Sequence, residues 1–254
     1  MKVQVLGGHG GLALGFNTTS FLIDGKLLLD AGAVASTLTI DEQVNIDHIL
    51  ITHCHLDHIK DLAFICDNCF GMKKESFHVH THMTVKKMIQ EHLLNDIVWP
   101  DFTKLPNREH PTMKIHSLQS EVKTVIGDYG VTPVKVNHAH DAMGFIIEKD
   151  EVALLFTGDT GPTEKIWERG KEIQNLKGIF TEVSFPNKLQ NIADLSDHHT
   201  PWSMHKEMAK MPKDIPVILT HLKPNFKTEI LLELKNLKES RLRVLEHDGM
   251  IFSF

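Results

Sequence analysis

The sequence predicts an α/β protein, a four-layer αββα sandwich in which two mixed β-sheets are covered on their outer faces by helices. Two observations lead there. Short apolar strand patterns alternate with helical ones along the whole chain, and the strand-rich stretches fall into two halves that each carry helices. With 254 residues, 41% of them hydrophobic and 24% charged, a sizeable core is within reach. No low-complexity tract or linker interrupts the chain, so residues 1–254 are expected to form one domain.

The elements follow in order. "KVQVL" alternates as a strand does and breaks at "GGHGG", where glycines permit a sharp turn. "SFLIDGKLLLD" reads as a hairpin closed at Asp24-Gly25. "IDHILIT" is a buried strand ending at His53, and "DLAFICDNCF" continues as a short helix. "TVKKMIQEHLLNDI" spaces Val85, Met88, Ile89 and Leu93 helically, until Trp99-Pro100 turns the chain out. In the second half "KTVIGDYGVTPVKVNH", "GFIIEKDEVALLFTGD" and "LKGIFTEV" are strand-rich. "PWSMHKEMAKM" is a helix with Pro201 in its first turn, "IPVILTH" a strand, "KTEILLELKNL" a helix, and "LRVLEHDGMIFSF" a closing hairpin.

Composition excludes several classes. A formal net charge of −6 argues against a polyanion-binding surface, so no stable nucleic-acid complex is expected. No apolar run has the length of a membrane span and no signal-peptide pattern opens the chain. Three cysteines, an odd number, suit a reducing compartment, and a cytoplasmic location is the expectation. A homodimer is expected by base rate alone.

The 18 histidines are the unusual feature. "THCHLDH" follows an apolar strand, and in an extended segment His53 and His55 share a face because side chains alternate with period two. A turn at Leu56 would swing Asp57 and His58 toward a neighbouring ion. Three later side chains also end apolar strands: His138 after "VTPVKVN", Asp159 after "VALLFTG" and His221 after "IPVILT". These seven suffice for two divalent ions, with His53, His55 and His138 on one, Asp57, His58 and His221 on the other, and Asp159 bridging. Imidazole with carboxylate suits zinc first, and manganese or iron as well.

The order H-x-H-x-D-H, then His, Asp and His, resembles that of the metallo-β-lactamase-fold hydrolases. Longer stretches resemble the class II cyclic-nucleotide phosphodiesterases: "HLDHIKDL", "LLLDAGAVASTLT", "KKMIQEHLLNDIVWPDFT", "LLFTGDTGPTEKIW", "IFTEVSFPN", "DLSDHHTPWSM" and "VILTHLKP", in that family's order. The segment "AFICDNCFG" departs from the family's small-residue, Ser-Pro-like pattern. The resemblance implies a metal-dependent phosphodiesterase that hydrolyses a small 3′,5′-cyclic nucleotide, cAMP or cGMP, to the 5′-monophosphate. A metal pair supplies hydroxide at neutral pH for attack on phosphorus. Asp57 is the residue expected to orient it, and His198 of "HHTP" the expected proton donor, with His199 as its rival. The rival functions are a tRNA 3′-processing endonuclease, a redox protein of the same fold, and a metal-binding protein without turnover.

Other candidates read as structural. Trp99 and Phe102 could stack on a base but suit a core or dimer contact equally. "FHVHTH" puts His78, His80 and His82 on one strand face without a carboxylate, and a structural strand is the expectation. Cys66 and Cys69 read as helix-packing residues, Cys54 should face away from its liganding neighbours, and His9 belongs to a turn beside the site. His140 competes with His138, whose spacing to Gly144 is the better one.

Overall fold

The computed structural model describes residues 1–139 and 141–254. Its first sheet contains β1 (Lys2–Gly7), β2 (Ser20–Ile23), β3 (Leu27–Leu29), β4 (His48–Leu50), β5 (Phe77–His82) and β6 (Met113–Leu118). The second contains β7 (Thr124–Ile126), β8 (Tyr129–Lys135), β9 (Met143–Lys149), β10 (Val152–Phe156), β11 (Leu176–Glu182), β12 (Val217–Thr220) and β13 (Leu242–Val244). The last strand, β14 (Ile251–Ser253), returns to the first sheet, so each sheet has seven strands. Both are mixed. Pairing is antiparallel from β14 through β1 and β2 to β3 and parallel from β3 to β6. The second sheet runs antiparallel from β7 to β10 and parallel from β10 to β13.

Side-chain alternation divides the core into layers. Leu154 and Phe156 of β10 point between the sheets, where they meet Phe21, Leu29, Leu50, Phe145 and Phe180. Ala153 and Leu155 point outward, beneath α5 (Lys165–Glu172), α7 (Pro201–Glu207) and α8 (Lys227–Leu237), which contribute Trp167, Met204 and Ile230. On the other side α3 (Leu56–Cys69) and α4 (Met83–His92) place Leu62, Ile65, Val85 and Ile89 over Ile49 and Val79. The short α1 (Val34–Thr37), α2 (Ile40–Val44) and α6 (Gln190–Leu195) complete the helices. The expected sandwich of helix, sheet, sheet and helix is therefore present.

Local chemistry explains the joints. The β2–β3 turn has Asp24 at φ 49° and Gly25 at φ 74°, the doubly left-handed turn that matches strand twist. Asp24 also ties the sheets together. One carboxylate oxygen accepts from the Lys2 amide at 2.8 Å, and the other accepts from Tyr129 and Lys149 of the second sheet, each at 3.0 Å. Thr200 caps α7 by accepting from the Ser203 amide, with Pro201 at the first helical position.

The C-terminal segment corrects one expectation. Residues 242–254 do not close as a hairpin: β13 pairs in parallel with β12 and β14 pairs antiparallel with β1, in different sheets. The reason lies in "HDG". The Asp248 carboxylate accepts from the amides of Gly8 (3.1 Å) and Asn17 (2.8 Å), and Gly249 at φ 87° donates to Val5 O. Turn-forming residues here anchor a crossing between sheets.

Candidate metal centre

The predicted ligands converge at the strand tips. β4 ends at Leu50, residues 51–55 stay extended, and α3 begins at Leu56 with His55 as its N-cap, so the turn expected at Leu56 is present. His53 is fully buried, while Asp57 and His58 emerge from the first helical turn. Gly158, at φ 62°, lets the chain bend between β10 and Asp159, and a Cβ there would come within 2.9 Å of the Thr52 side chain. His221 follows β12 at φ 60°, a left-handed conformation that costs a residue with a side chain about 1–3 kcal/mol. Gly10 makes room for it, since a Cβ at Gly10 would lie 2.6 Å from the His221 ring.

The nitrogens and oxygens form two adjoining groups. His53, His55, His138 and Asp159 bring ligand atoms within 4.8 Å of one another, and so do Asp57, His58 and His221. Asp159 reaches both: its Oδ2 lies 3.8 Å from His53 Nε2, 3.9 Å from His138 Nε2, 3.3 Å from His58 Nε2 and 3.1 Å from His221 Nε2. Asp57 Oδ2 lies 3.3 Å from His221 Nε2. Asp159 thus adjoins both groups, the position that a shared carboxylate requires.

Four of the five rings, those of His53, His58, His138 and His221, are held from behind. His58 Nδ1 donates to Asp30 at 2.8 Å, His138 Nδ1 donates to the Asp197 carbonyl at 3.0 Å, and His53 Nδ1 meets Thr52 Oγ1 at 3.0 Å. His221 Nδ1 donates to Ser184 Oγ at 2.9 Å, and that hydroxyl donates to Glu182 at 2.8 Å. These contacts fix the ring orientations and leave Nε2 facing the centre. Among the described residues, the buried Nε2 atoms of His53 and His58 have no hydrogen-bond partner. Bare ring nitrogens aimed at a buried carboxylate are what divalent ions satisfy, so the donor set fits a dinuclear site.

Burial and the neighbouring carboxylates act on the rings in opposite directions. Burial first, then neighbouring imidazoles, holds His53 and His55 below the usual histidine range, and His138 is lowered chiefly by burial. Burial opposes the charge on His58, yet Asp159 and Asp30 on its two sides hold it well above that range. Asp159 is likewise buried, and the His221 and His58 rings keep its carboxyl well below the ordinary carboxylate value.

His198 and His199 separate cleanly. A ring nitrogen of His198 lies within 4.8 Å of ligand atoms of Asp159 and His221, and the rings of His198 and His221 stack with centroids 5.5 Å apart. His198 Nδ1 donates to Glu182 Oε1 at 2.8 Å. His199 instead turns Nδ1 to Ser203 Oγ at 3.0 Å, inside the cap of α7. Burial opposes both charges of the His198–Glu182 pair, but each partner outweighs it, raising His198 and lowering Glu182. Asp30, Glu182 and Ser184 were not singled out from the sequence. Asp30 and Glu182 are acids at the end of apolar strands, the same signal that pointed to Asp159.

The remaining candidates fall outside the cage. Phe102 is buried in the helix-side core with Cys66 and Cys69, and Trp99 packs against it, so neither aromatic faces the site. Cys54 Sγ turns to Met88 Sδ at 3.2 Å, away from the ligands. His9 is buried in the turn next to His221. His78 and His80 lie on one face of β5, whereas His82 accepts from the Thr84 amide as the N-cap of α4. His140 lies outside the described residues.

The family described as "Beta-lactamase superfamily domain" matches residues 26–222. The chain belongs to the metallo-β-lactamase superfamily. Among its relatives in the superfamily, a Yersinia pestis protein described as "Probable 3′,5′-cyclic-nucleotide phosphodiesterase" is 28% identical over 89% of this chain and 79% of its own. The "3′,5′-cyclic-nucleotide phosphodiesterase 1" of Saccharomyces cerevisiae is 26% identical over 87% of this chain and 74% of its own. The crystal structure of unliganded yeast PDE1 superposes with a TM-score of 0.82 at 20% identity, covering 98% of both chains. That of the short form of human tRNase Z gives 0.69 at 17% identity, covering 100% of this chain and 99% of the other. The buried His/Asp clusters of this chain suit a metal-dependent hydrolase of that fold.

Proposed function

We propose that the centre hydrolyses a 3′,5′-cyclic nucleotide, cAMP or cGMP, to the nucleoside 5′-monophosphate. The observation that carries the reading is the His198–Glu182 pair at 2.8 Å, in which the carboxylate favours protonation of an imidazole beside the two-part cage. Two curated relatives described as cyclic-nucleotide phosphodiesterases, each matched over most of its length, support it.

His53, His55 and His138 would hold one ion and Asp57, His58 and His221 the other, with Asp159 shared; zinc is the metal proposed for this donor set. When bound, such a pair lowers the pKa of water and offsets charge on the phosphoryl oxygens. The chain supplies the rest. Asp57, partly exposed at the mouth, accepts a hydrogen bond from the attacking water and aims it at phosphorus. The attacking water passes a proton by way of Asp57 to solvent as its oxygen bonds to phosphorus and the bond to the 3′ oxygen breaks, and His198 Nε2 gives that oxygen its proton. Glu182 holds the ring in place throughout, as its hydrogen bond to Nδ1 leaves Nε2 free to donate. For the base, we assign an apolar recess of about 300 Å³ beside His55, lined by residues that include Leu56, Met88 and Val98.

The test is a screen of cyclic mononucleotides, linear diesters and precursor tRNA against metal-reconstituted protein. Turnover of cAMP or cGMP to the 5′-monophosphate is expected. Cleavage of precursor tRNA without cyclic-nucleotide turnover would overturn the reading in favour of the endonuclease, which the net charge of −6 disfavours.

A further inference from the structure

The "FHVHTH" strand has a second use. In the sheet register His48 of β4 lies beside His78 of β5, and His116 of β6 lies beside His80. The four rings form a square patch. His48 Nδ1 is 3.2 Å from His80 Nε2, and His78 Nδ1 is 2.9 Å from His116 Nε2. His116 stacks on both His78 and His80, with centroids 5.1 and 4.9 Å apart. The patch continues the inner face of the sheet beyond Leu50 and Leu118, and Gly127 of the β7–β8 turn packs on the His48 ring. His80 is buried and the other three are half-buried.

Nothing about this patch suits charge on the rings. Among the described residues, the charged side chains acting on it are Asp47, Lys73, Lys86 and Lys114, and Asp47 is already engaged by Lys73 Nζ at 3.1 Å. Burial first, and the neighbouring imidazoles with it, hold all four rings below the usual histidine range, His80 down to about 3. Each ring is therefore uncharged at neutral pH, the form that binds metal, and within each close pair the N–H···N hydrogen bond gives way, its proton moving to the donor ring's other nitrogen, when both nitrogens face one ion.

The spacing is also that of a chelate. Two imidazole nitrogens in neighbouring positions on one ion, at bonds of about 2.0–2.1 Å, stand roughly 2.9–3.4 Å apart. Both diagonal pairs meet this. We propose that His48, His78, His80 and His116 form a second metal site, separate from the central cage, that takes one borderline divalent cation: Cu²⁺, Ni²⁺ or Zn²⁺. A diagonal pair chelates the ion and water fills its remaining positions through the exposed side of the patch. Occupancy stops at one ion, because a second dication about a ring spacing away is repelled. The bound ion cross-links β5 to β4 or to β6.

The test strips the protein of metal, reloads it with each cation, desalts it and counts the ions retained. His48→Gln/His78→Gln removes one nitrogen from each diagonal, and His80→Gln/His116→Gln removes the other. The wild type is expected to retain about one equivalent more than either folded variant. Copper is further expected to shield the peptide containing His78 and His80 from diethylpyrocarbonate in the unmutated protein, a measurement that needs no variant to fold. Equal retention by the wild type and a folded variant, or no shielding of that peptide by any of the three cations, would overturn the proposal.

Discussion

Asp30 and His58 meet at 2.8 Å, the carboxylate accepting from ring Nδ1, while the opposite nitrogen of the same ring lies 3.3 Å from Asp159. The buried line Asp30–His58–Asp159 makes one imidazole the link between a structural acid and the proposed shared ligand. Asp30 also accepts from the Thr52 amide at 2.9 Å, so it braces the extended segment that presents His53.

Replacing Asp30 with Asn keeps the shape but weakens the hold on His58. Metal affinity should fall about 10–100-fold, as it does when such outer partners are lost. Competitive titration with a chromophoric chelator reads this directly, and unchanged affinity would remove Asp30 from the scheme.

Asp159→Ala deletes a carboxylate that lies within 4 Å of imidazoles from both groups. The variant should retain less than half of the wild-type metal, and turnover should fall at least about 10³-fold, the equivalent of about 4 kcal/mol of transition-state stabilisation. Full activity at intact stoichiometry would refute the assignment.

Glu182 raises the pKa of His198, so the imidazole stays protonated to higher pH than a free histidine does. Glu182→Gln removes that support. The alkaline limb of the pH–rate profile should move toward lower pH, and His198→Gln should lose the limb with about 10²–10⁴-fold of rate. An alkaline limb that stays in place in Glu182→Gln argues for a different donor.

The assigned base recess makes a separate prediction. Val98 is exposed at its rim, so Val98→Glu should fold normally and raise KM for the cyclic nucleotide with little change in kcat. Hydrolysis of bis(p-nitrophenyl) phosphate, which has no base, should be unaffected. Equal loss on both substrates would place the base elsewhere.

Burial tends to raise Asp24, but the Lys2 amide, Lys149 and Tyr129 outweigh it and hold the carboxyl below its usual value. A depressed folded pKa stabilises the fold above the unfolded value of about 3.9, and that stability is lost as pH falls through the folded value. Asp24→Asn should cost about 1 kcal/mol at pH 7 and less near pH 3. Urea unfolding at the two pH values checks the sign.

Much of the site was legible in the sequence because His53, His138, Asp159 and His221 each close an apolar run, and period-two alternation does not depend on tertiary context. The hairpin at Asp24-Gly25 was legible for the same local reason. What could not be read was lateral. Glu182 becomes a partner of His198 only once β11 is laid beside the loop before α7, and His48 meets His78 only through the parallel register of β4 and β5. The misread C-terminal hairpin has the same origin, since Asp248 and Gly249 carry turn chemistry whose partners, Gly8, Asn17 and Val5, lie more than 200 positions away. Choosing His198 over His199 likewise required the Ser203 contact that engages His199.

The cage draws its seven donors from both sides of the sandwich: His53, His55, Asp57 and His58 from the first, and His138, Asp159 and His221 from the second. A ribosome-bound chain that has formed only β1 to β6 owns an incomplete coordination shell. In the proposed dinuclear site, ion capture would wait until His221 has emerged and the two halves have docked, and ions held there would act as a clasp that resists their separation.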